Sequence, residues 1–361
     1  MKKVIYTFLI AAFLIFGLYS EKAISQTDTN NVLLEYCTGT WCGYCPCGHQ
    51  IIQQAILPTY PNTVVIAYHG TSSDPWYAYS QTMLSAFGFS GYPTGVVGRT
   101  SGIISRSAWF SQVSYQATLQ PGVKVAMINK TYNAGTRLMT ATVNTTAVQN
   151  LPAGDYKVLF VITEDNLVYP QNHYASCGYT GYINDYVHKH VVKAVINAPY
   201  GEALTSAAWN SGTTITKEFS FTLPSHILYT NATLNAIVYL NAGSLSSGAA
   251  IQNAKVSHMA DFVITGVTPV NEVMSGYQLS QNYPNPFNPT TNIRFNVPKD
   301  GRASLKIYDI KGNEVAVYLD QDIKAGAYNV DFDGSKLTSG VYFYRLTAGT
   351  FSETKRMMLI K

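Results

Sequence analysis

The sequence predicts a multi-domain chain with three folded units in series: an α/β domain, an all-β sandwich and a small C-terminal β-sandwich of Ig-like build. Three observations carry that prediction. Up to about position 115 the apolar residues alternate between short continuous runs and helical spacing, and from about Gly122 they take on the two-residue period of strands. Near the C-terminus, Tyr283-Pro284-Asn285-Pro286-Phe287-Asn288-Pro289 interrupts the strand period with residues that cannot continue a ladder.

Ahead of the folded units, Met1-Lys2-Lys3 leads into an apolar stretch from Val4 to Tyr19, which turns polar at Ser20-Glu21-Lys22. That is the profile of a secretory signal. Small residues at Ala23-Ile24-Ser25 place cleavage before Gln26, removing residues 1–25, and no cysteine stands there to take a lipid. An uncleaved anchor is the rival, but the stretch falls short of the roughly 20 residues a spanning helix needs. Loss of Lys2, Lys3, Lys22 and Glu21 lowers the formal net charge from +4 to +2, with no basic surplus that would point to nucleic acid. Only 12% of the chain is charged and 27 residues are Tyr, a composition suited to exported β proteins.

The α/β domain is expected over 26–120. Val32 to Tyr36 reads as a first strand, and Ile51, Ile52, Ala55 and Ile56 share one helical face after it. Val64 to Tyr68 is a second buried strand, Asp74-Pro75 opens a helix through Met83 and Phe87, and Thr94 to Gly98 is a third strand. A helix with Trp109, Phe110 and Val113 closes the unit. Strand and helix in alternation imply a partly parallel sheet.

Over 121–266 the strands Val123 to Met127, Leu138 to Val143, Lys157 to Thr163, Thr216 to Leu223 and Ala236 to Leu240 are separated by turns such as Asn133-Ala134-Gly135. A sandwich fits this spacing. Residues 267–290 read as a linker, and 291–361 as the last sandwich, with strands such as Ala303 to Ile310 and Val341 to Leu346.

The strongest chemical signal is Trp41-Cys42-Gly43-Tyr44-Cys45-Pro46, between the first strand and the first helix. Two intervening residues bring the sulfurs within disulfide reach when Cys45 lies in the first helical turn. Cys42 then sits where exposed N–H groups and the helix dipole favour a thiolate. It would attack a substrate disulfide and Cys45 would resolve the mixed disulfide. A static staple is the alternative in an exported chain. Gly91-Tyr92-Pro93-Thr94 precedes the third strand.

Taken together, the Cys-x-x-Cys and this proline resemble the thioredoxin superfamily over residues 32–115. That resemblance implies a cis peptide at Pro93 beside the cysteine pair, and substrate contacts from Trp41, Gly43, Tyr44, Tyr92 and Pro93. The run Leu34 to Cys42 is similar to the outer-membrane-protein-28-related family, a thioredoxin-like domain followed by a β domain. Thioredoxins carry a buried acid six residues before the first active-site cysteine; here Tyr36 stands there, with Glu35 next to it on the opposite strand face.

Four of the five cysteines fall between Cys37 and Cys47, and Cys177 stands alone. Cys47 is open to pairing with Cys37 or Cys177, or to plain burial. Cys42, Cys45, Cys47 and His49 are too crowded on one helix to surround a tetrahedral ion. His188 and His190 would share one face of a strand, where hydrogen bonding within the sheet outweighs metal binding. His69 and Asp74 are candidate neighbours of the cysteine pair. No cofactor is expected.

The C-terminal segment resembles the type IX secretion sorting domains in Tyr283 to Thr291, Leu305 to Gly312, Ser339 to Leu346 and the basic Lys355-Arg356. That implies partnership with the outer-membrane secretion machinery, and a surface-exposed or released product. Protein thiols or disulfides are the expected partners of the cysteine pair. A non-enzymatic surface binding or adhesion protein, built on the same folds with Tyr-rich loops making the contacts, is the alternative.

Overall fold

Leu33–Thr38 (β1) and Val64–His69 (β2) are buried at every position and run parallel, as continuous apolar runs covered on both faces do. The computed structural model describes residues 30–361 apart from 179–180, 198, 266, 271–275 and 336, so the expected signal at 1–25 lies outside the described residues. Between the two strands, Cys45–Ile51 (α1) continues through a π turn at Ile52–Ile56 and a last α turn at Leu57–Thr59. It packs Ile52 and Ile56 against Leu34, Tyr36 and Trp109 on one sheet face. Tyr77–Phe87 (α2) covers the other face with Met83, Leu84 and Phe87. This helix starts later than Asp74-Pro75 suggested, because the Asp74 carboxylate accepts the Trp76 N–H and holds a turn there. Thr94–Val97 (β3) runs antiparallel to β1, Ile104–Ser105 (β4) borders it, and Trp109–Ala117 (α3) buries Trp109 fully.

One sheet crosses position 120. Its strand order is Ile251–His258, Ala232–Leu240, Tyr156–Glu164, Val191–Val195, β2, β1, β3, β4; Glu202–Thr205 pairs aside with Tyr156–Glu164, making nine strands among the described residues. The seam is a single parallel pairing of Val191 with Ala67, in which the Ala67 N–H donates to His190 O at 2.9 Å. Without it the outer edge of β2 would leave buried backbone groups unpaired. A second sheet, ordered Thr214–Thr222, Leu138–Ala147, Val123–Asn133, Val263–Thr265, packs on the far half of the first and completes the central sandwich.

Near the seam, Arg99 donates to both Glu35 oxygens at 2.7 and 2.9 Å, and Tyr68 adds a third bond. Both charges are fully buried. The Arg99 guanidinium also lies 4.7 Å from the Tyr239 ring centroid, joining β1 to the central sandwich. Glu35 thus points away from the face that Tyr36 shares with Trp109, as adjacent strand residues must.

The C-terminal unit is two four-stranded sheets, one of Val267–Val270, Gly326–Asp333, Thr290–Val297 and Gln278–Leu279, the other of Glu314–Ile323, Gly301–Tyr308, Gly340–Ala348 and Phe351–Leu359. The expected linker at 267–290 is corrected here. Val267–Val270 and Gln278–Leu279 are strands of this unit, and Phe287, only 2% exposed, pairs with Leu359 and donates to Met358 O. Prolines cannot donate to a ladder, but asparagines supply the missing bonds: Asn285 Oδ1 accepts the Met358 N–H, and Asn282 Nδ2 donates to Pro284 O and Thr291 Oγ1. The Pro/Asn segment is an ordered edge. A continuous apolar cluster also runs from Tyr132 and Tyr229 in the central sandwich to Tyr318 and Phe332.

Candidate functional site

Helix α1 opens at the second cysteine, with Tyr44 as its cap residue and Pro46 in its first turn, a position where a missing N–H costs nothing. The Cys45 N–H donates to Cys42 O at 3.1 Å and the Cys42 N–H to Gly39 O at 3.0 Å, so two successive turns fold Cys42 back over the helix start. The two sulfurs form a disulfide with Cα atoms 5.4 Å apart.

The other expected residues lie on the segments that flank helix α1. The Tyr92-Pro93 peptide is cis. Pro93 reaches α1 at Gly48, where an added Cβ would stand 3.3 Å from the proline ring and 3.0 Å from Trp109, so glycine permits the approach. Trp41 meets Tyr92 edge to face at 5.1 Å, and its Nε1 donates to Gly70 O. Cys37 is the free thiol; it is buried, its Sγ lies 3.0 Å from Gly91 O, and burial pushes it above the usual thiol range. It steadies the turn before Pro93.

Both cysteines are buried, Cys42 at 4% and Cys45 at 2% exposed. Gln171–His173 and the turn at Ala175–Cys177 lie over them. The Asn172 N–H donates to Thr40 O and the Tyr174 N–H to Gly43 O, while Gln171 Nε2 donates to Gly39 O and Cys42 O. The Tyr174 ring rests on Gly43, within 2.6 Å of where a Cβ would be, and meets Tyr44 at 4.8 Å. Cys177, one of two partners open to Cys47, is the one bonded to it.

Beneath Cys45 lies a cavity of about 10 Å³, bordered by Cys45, His49, His69, Gln171, Tyr186 and His188. That is room for roughly one water. His69 Nδ1 lies 3.1 Å from Asp74 Oδ2, which also accepts the Thr40 N–H, while Oδ1 takes the Trp76 N–H. Burial acts to raise the Asp74 pKa, but bonds from His69 and the two amides outweigh it and hold the carboxyl below its ordinary value. An ionised Asp74 fixes the His69 proton on Nδ1, leaving Nε2 as the basic nitrogen. His188 Nε2 donates to Tyr169 O. Burial, with His69 nearby, lowers His188 to about 3, and burial, with His190 and Lys189 nearby, lowers His49 to about 4.

The expectation that His188 and His190 share a strand face is corrected. His190 has φ 58° and interrupts the strand, so His188 joins His69 and Trp76 while His190 turns to Gln53 and Asp165. Among the described residues no cluster of three or more His, Cys, Asp and Glu is placed to hold a metal ion.

The site's cover and cavity floor, Gln171, Asn172, Tyr174, His49 and Tyr186, were not foreseen from sequence. The odd Cys177 was the one available signal.

Residues 80–259 match the family model for Outer membrane protein Omp28. Residues 281–361 match that of the secretion system C-terminal sorting domain. Together the matches indicate export to the cell surface or outer membrane, and the second implies engagement of the type IX secretion machinery. The Omp28 match takes in the cover and His188, whereas Cys42 and Cys45 lie before it. Among solved structures, HBP35 of Porphyromonas gingivalis aligns at TM-score 0.56 and 19% identity over 91% of this chain and 98% of that one, a likeness of fold alone. Pullulanase from Bacillus acidopullulyticus aligns at TM-score 0.16 and 13% identity over 65% of this chain and 37% of that one, too weakly to carry an argument. No curated protein shows a significant match.

Proposed function

We propose that this exported protein is a thiol-disulfide oxidoreductase with a thioredoxin-like first domain, acting through Cys42 and Cys45 on the thiols or disulfides of other proteins. The observation that carries the reading is the Cys42–Cys45 disulfide at a helix start, whose Cys45 borders a small cavity also lined by His69, itself paired with Asp74. A reduced Cys42 attacks the partner's disulfide, forming a mixed disulfide and releasing one partner thiolate. Cys45 loses its proton to His69 Nε2 through the cavity and attacks the Cys42 sulfur; the second partner thiolate leaves, and two electrons have passed to the partner. The reverse sequence oxidises a partner dithiol. Trp41, Gly43, Tyr44, Tyr92 and Pro93 form the walls of the partner's groove.

Insulin reduction by the pre-reduced full chain tests this. Cys42→Ser should abolish turnover, Cys45→Ser should trap a mixed disulfide, and undiminished turnover in Cys42→Ser protein sinks the reading.

A second reading draws on the burial of Cys42 and on Tyr169, Tyr174, Tyr182 and Tyr200, each at least 41% exposed. In it the disulfide is a staple and the tyrosine loops bind a surface partner. A chain inactive on insulin after full reduction, with loop Tyr→Ala variants losing cell or matrix attachment, selects it.

A further inference from the structure

We propose that Gln171–Cys177 is a cover latched over the Cys42–Cys45 pair, that the Cys47–Cys177 disulfide is the latch, and that reducing it opens a groove for an extended segment of a partner protein. The nature of that partner rests on the oxidoreductase reading; the latch does not.

The cover behaves as an internal occupant of the groove. Asn172 and Tyr174, two residues apart on an extended segment, donate main-chain bonds to Thr40 O at 2.7 Å and Gly43 O at 2.9 Å. Any extended peptide can offer the same alternate donors. Side-chain amides add bonds from Gln171 to Cys42 O and from Asn172 to Trp41 O, and the Tyr174 ring closes over Gly43. Beyond it, Gln50 Nε2 donates to Cys177 O and the Cys47–Cys177 bond ties the segment to α1. The covalent tie keeps the cover at high effective concentration over the groove, so a competing peptide cannot displace it easily.

The four bonded cysteines differ in access. Cys47 is half-buried, while Cys42, Cys45 and Cys177 are buried. An external dithiol therefore reaches the Cys47 sulfur first. Its thiolate bonds to that sulfur, and Cys177 leaves as a thiolate and takes up a proton. The reductant's second thiol then frees Cys47 as a thiol. Two electrons have passed from the dithiol, now a cyclic disulfide, to Cys47 and Cys177. The Cys42–Cys45 bond is untouched by this step and becomes reachable once the cover lifts.

Timed alkylation and mass spectrometry of the full chain in dilute dithiothreitol read the order of opening. Cys47 and Cys177 should be labelled before Cys42 and Cys45. In Cys47→Ala/Cys177→Ala protein, the Cys42–Cys45 bond should reduce about tenfold faster or more. Gln171→Ala/Asn172→Ala keeps the latch while removing the side-chain bonds, and should give a smaller acceleration. Equal rates with and without the latch, or Cys42–Cys45 opening first in the wild type, overturn the proposal. If the latchless variant does not fold, the order in the wild type decides. Labelling reads access rather than turnover, so an opened pair that fails to reduce insulin would sink the oxidoreductase reading and leave the latch standing.

Discussion

Around the cysteine site charge is buried, whereas in the C-terminal sandwich it stays near the surface. Glu35–Arg99, His69–Asp74 and Glu164–Lys193 each have at least one partner on a strand of the sheet that spans the first two units, and every partner is at most 6% exposed. In the last unit Lys324–Asp300, Arg302–Asp320 and Lys306–Glu314 are solvent-facing or half-buried, and the buried polar residues Asn282, Thr291 and Asn296 are uncharged. Its core is Phe287, Ile293, Phe295, Leu305, Ile307 and Leu346. Burying charge demands partners on several elements at once, which fixes a unique geometry; an apolar core asks only for volume and pattern. The first arrangement fixes the relative placement of several elements, while the second asks chiefly that the unit fold.

Breaking the Glu35–Arg99 pair gives the largest expected effect. Arg99→Met leaves a buried carboxylate unpaired and should cost about 3–5 kcal/mol in denaturant unfolding, while Glu35→Gln/Arg99→Met should recover most of it. An equally damaging double variant would show that the pair does more than neutralise itself. Phe287→Ala should cost about 3 kcal/mol, confined to the C-terminal unit, with the alkylation pattern of Cys42 and Cys45 unchanged. Loss of both units together would mean that the apolar cluster reaching Tyr132 and Tyr229 makes them one folding unit, which collapses the contrast.

The histidines give the next effect. His188 at about 3 and His49 at about 4 lie below the unfolded value of 6.5. Their neutral rings therefore contribute stability that is fully present above about pH 6.5 and is lost as pH falls toward those values, about 2 kcal/mol each by pH 5. Melting temperatures across that range should fall, and His188→Gln should flatten the slope. The smallest effect is expected for Lys324→Ala, which removes an exposed ion pair and should leave the melting temperature unchanged within error.

Much of this was legible along the chain. Strands near Leu33, Val64 and Thr94 followed from apolar runs, and those of the last unit from strict alternation, such as Ala303, Leu305 and Ile307 on one buried face. Trp41, Gly43, Tyr44, Tyr92 and Pro93 were tied to the cysteine pair by motif; in the structure Tyr92 meets Trp41 and Pro93 packs against α1 at Gly48. The segment at 283–289 was misread because proline density signals the end of a ladder, while the asparagine bonds that replace it reach across to Met358, more than 70 residues away. His188 and His190 were misplaced because a two-residue spacing means one face only while the strand continues.

The sequence by itself determined which segments could be strands or helices and which cysteines could form a local pair, because periodicity, proline and a three-residue spacing act between near neighbours. Only the tertiary structure decided that β2 would pair with Val191–Val195, that Cys47 would bond Cys177 across 130 residues, and that Gln171 to Tyr174 would cover Cys42. Those contacts join parts of the chain that no local pattern links, and they form because buried backbone edges, charges and sulfurs must each find a partner once the sheet has assembled.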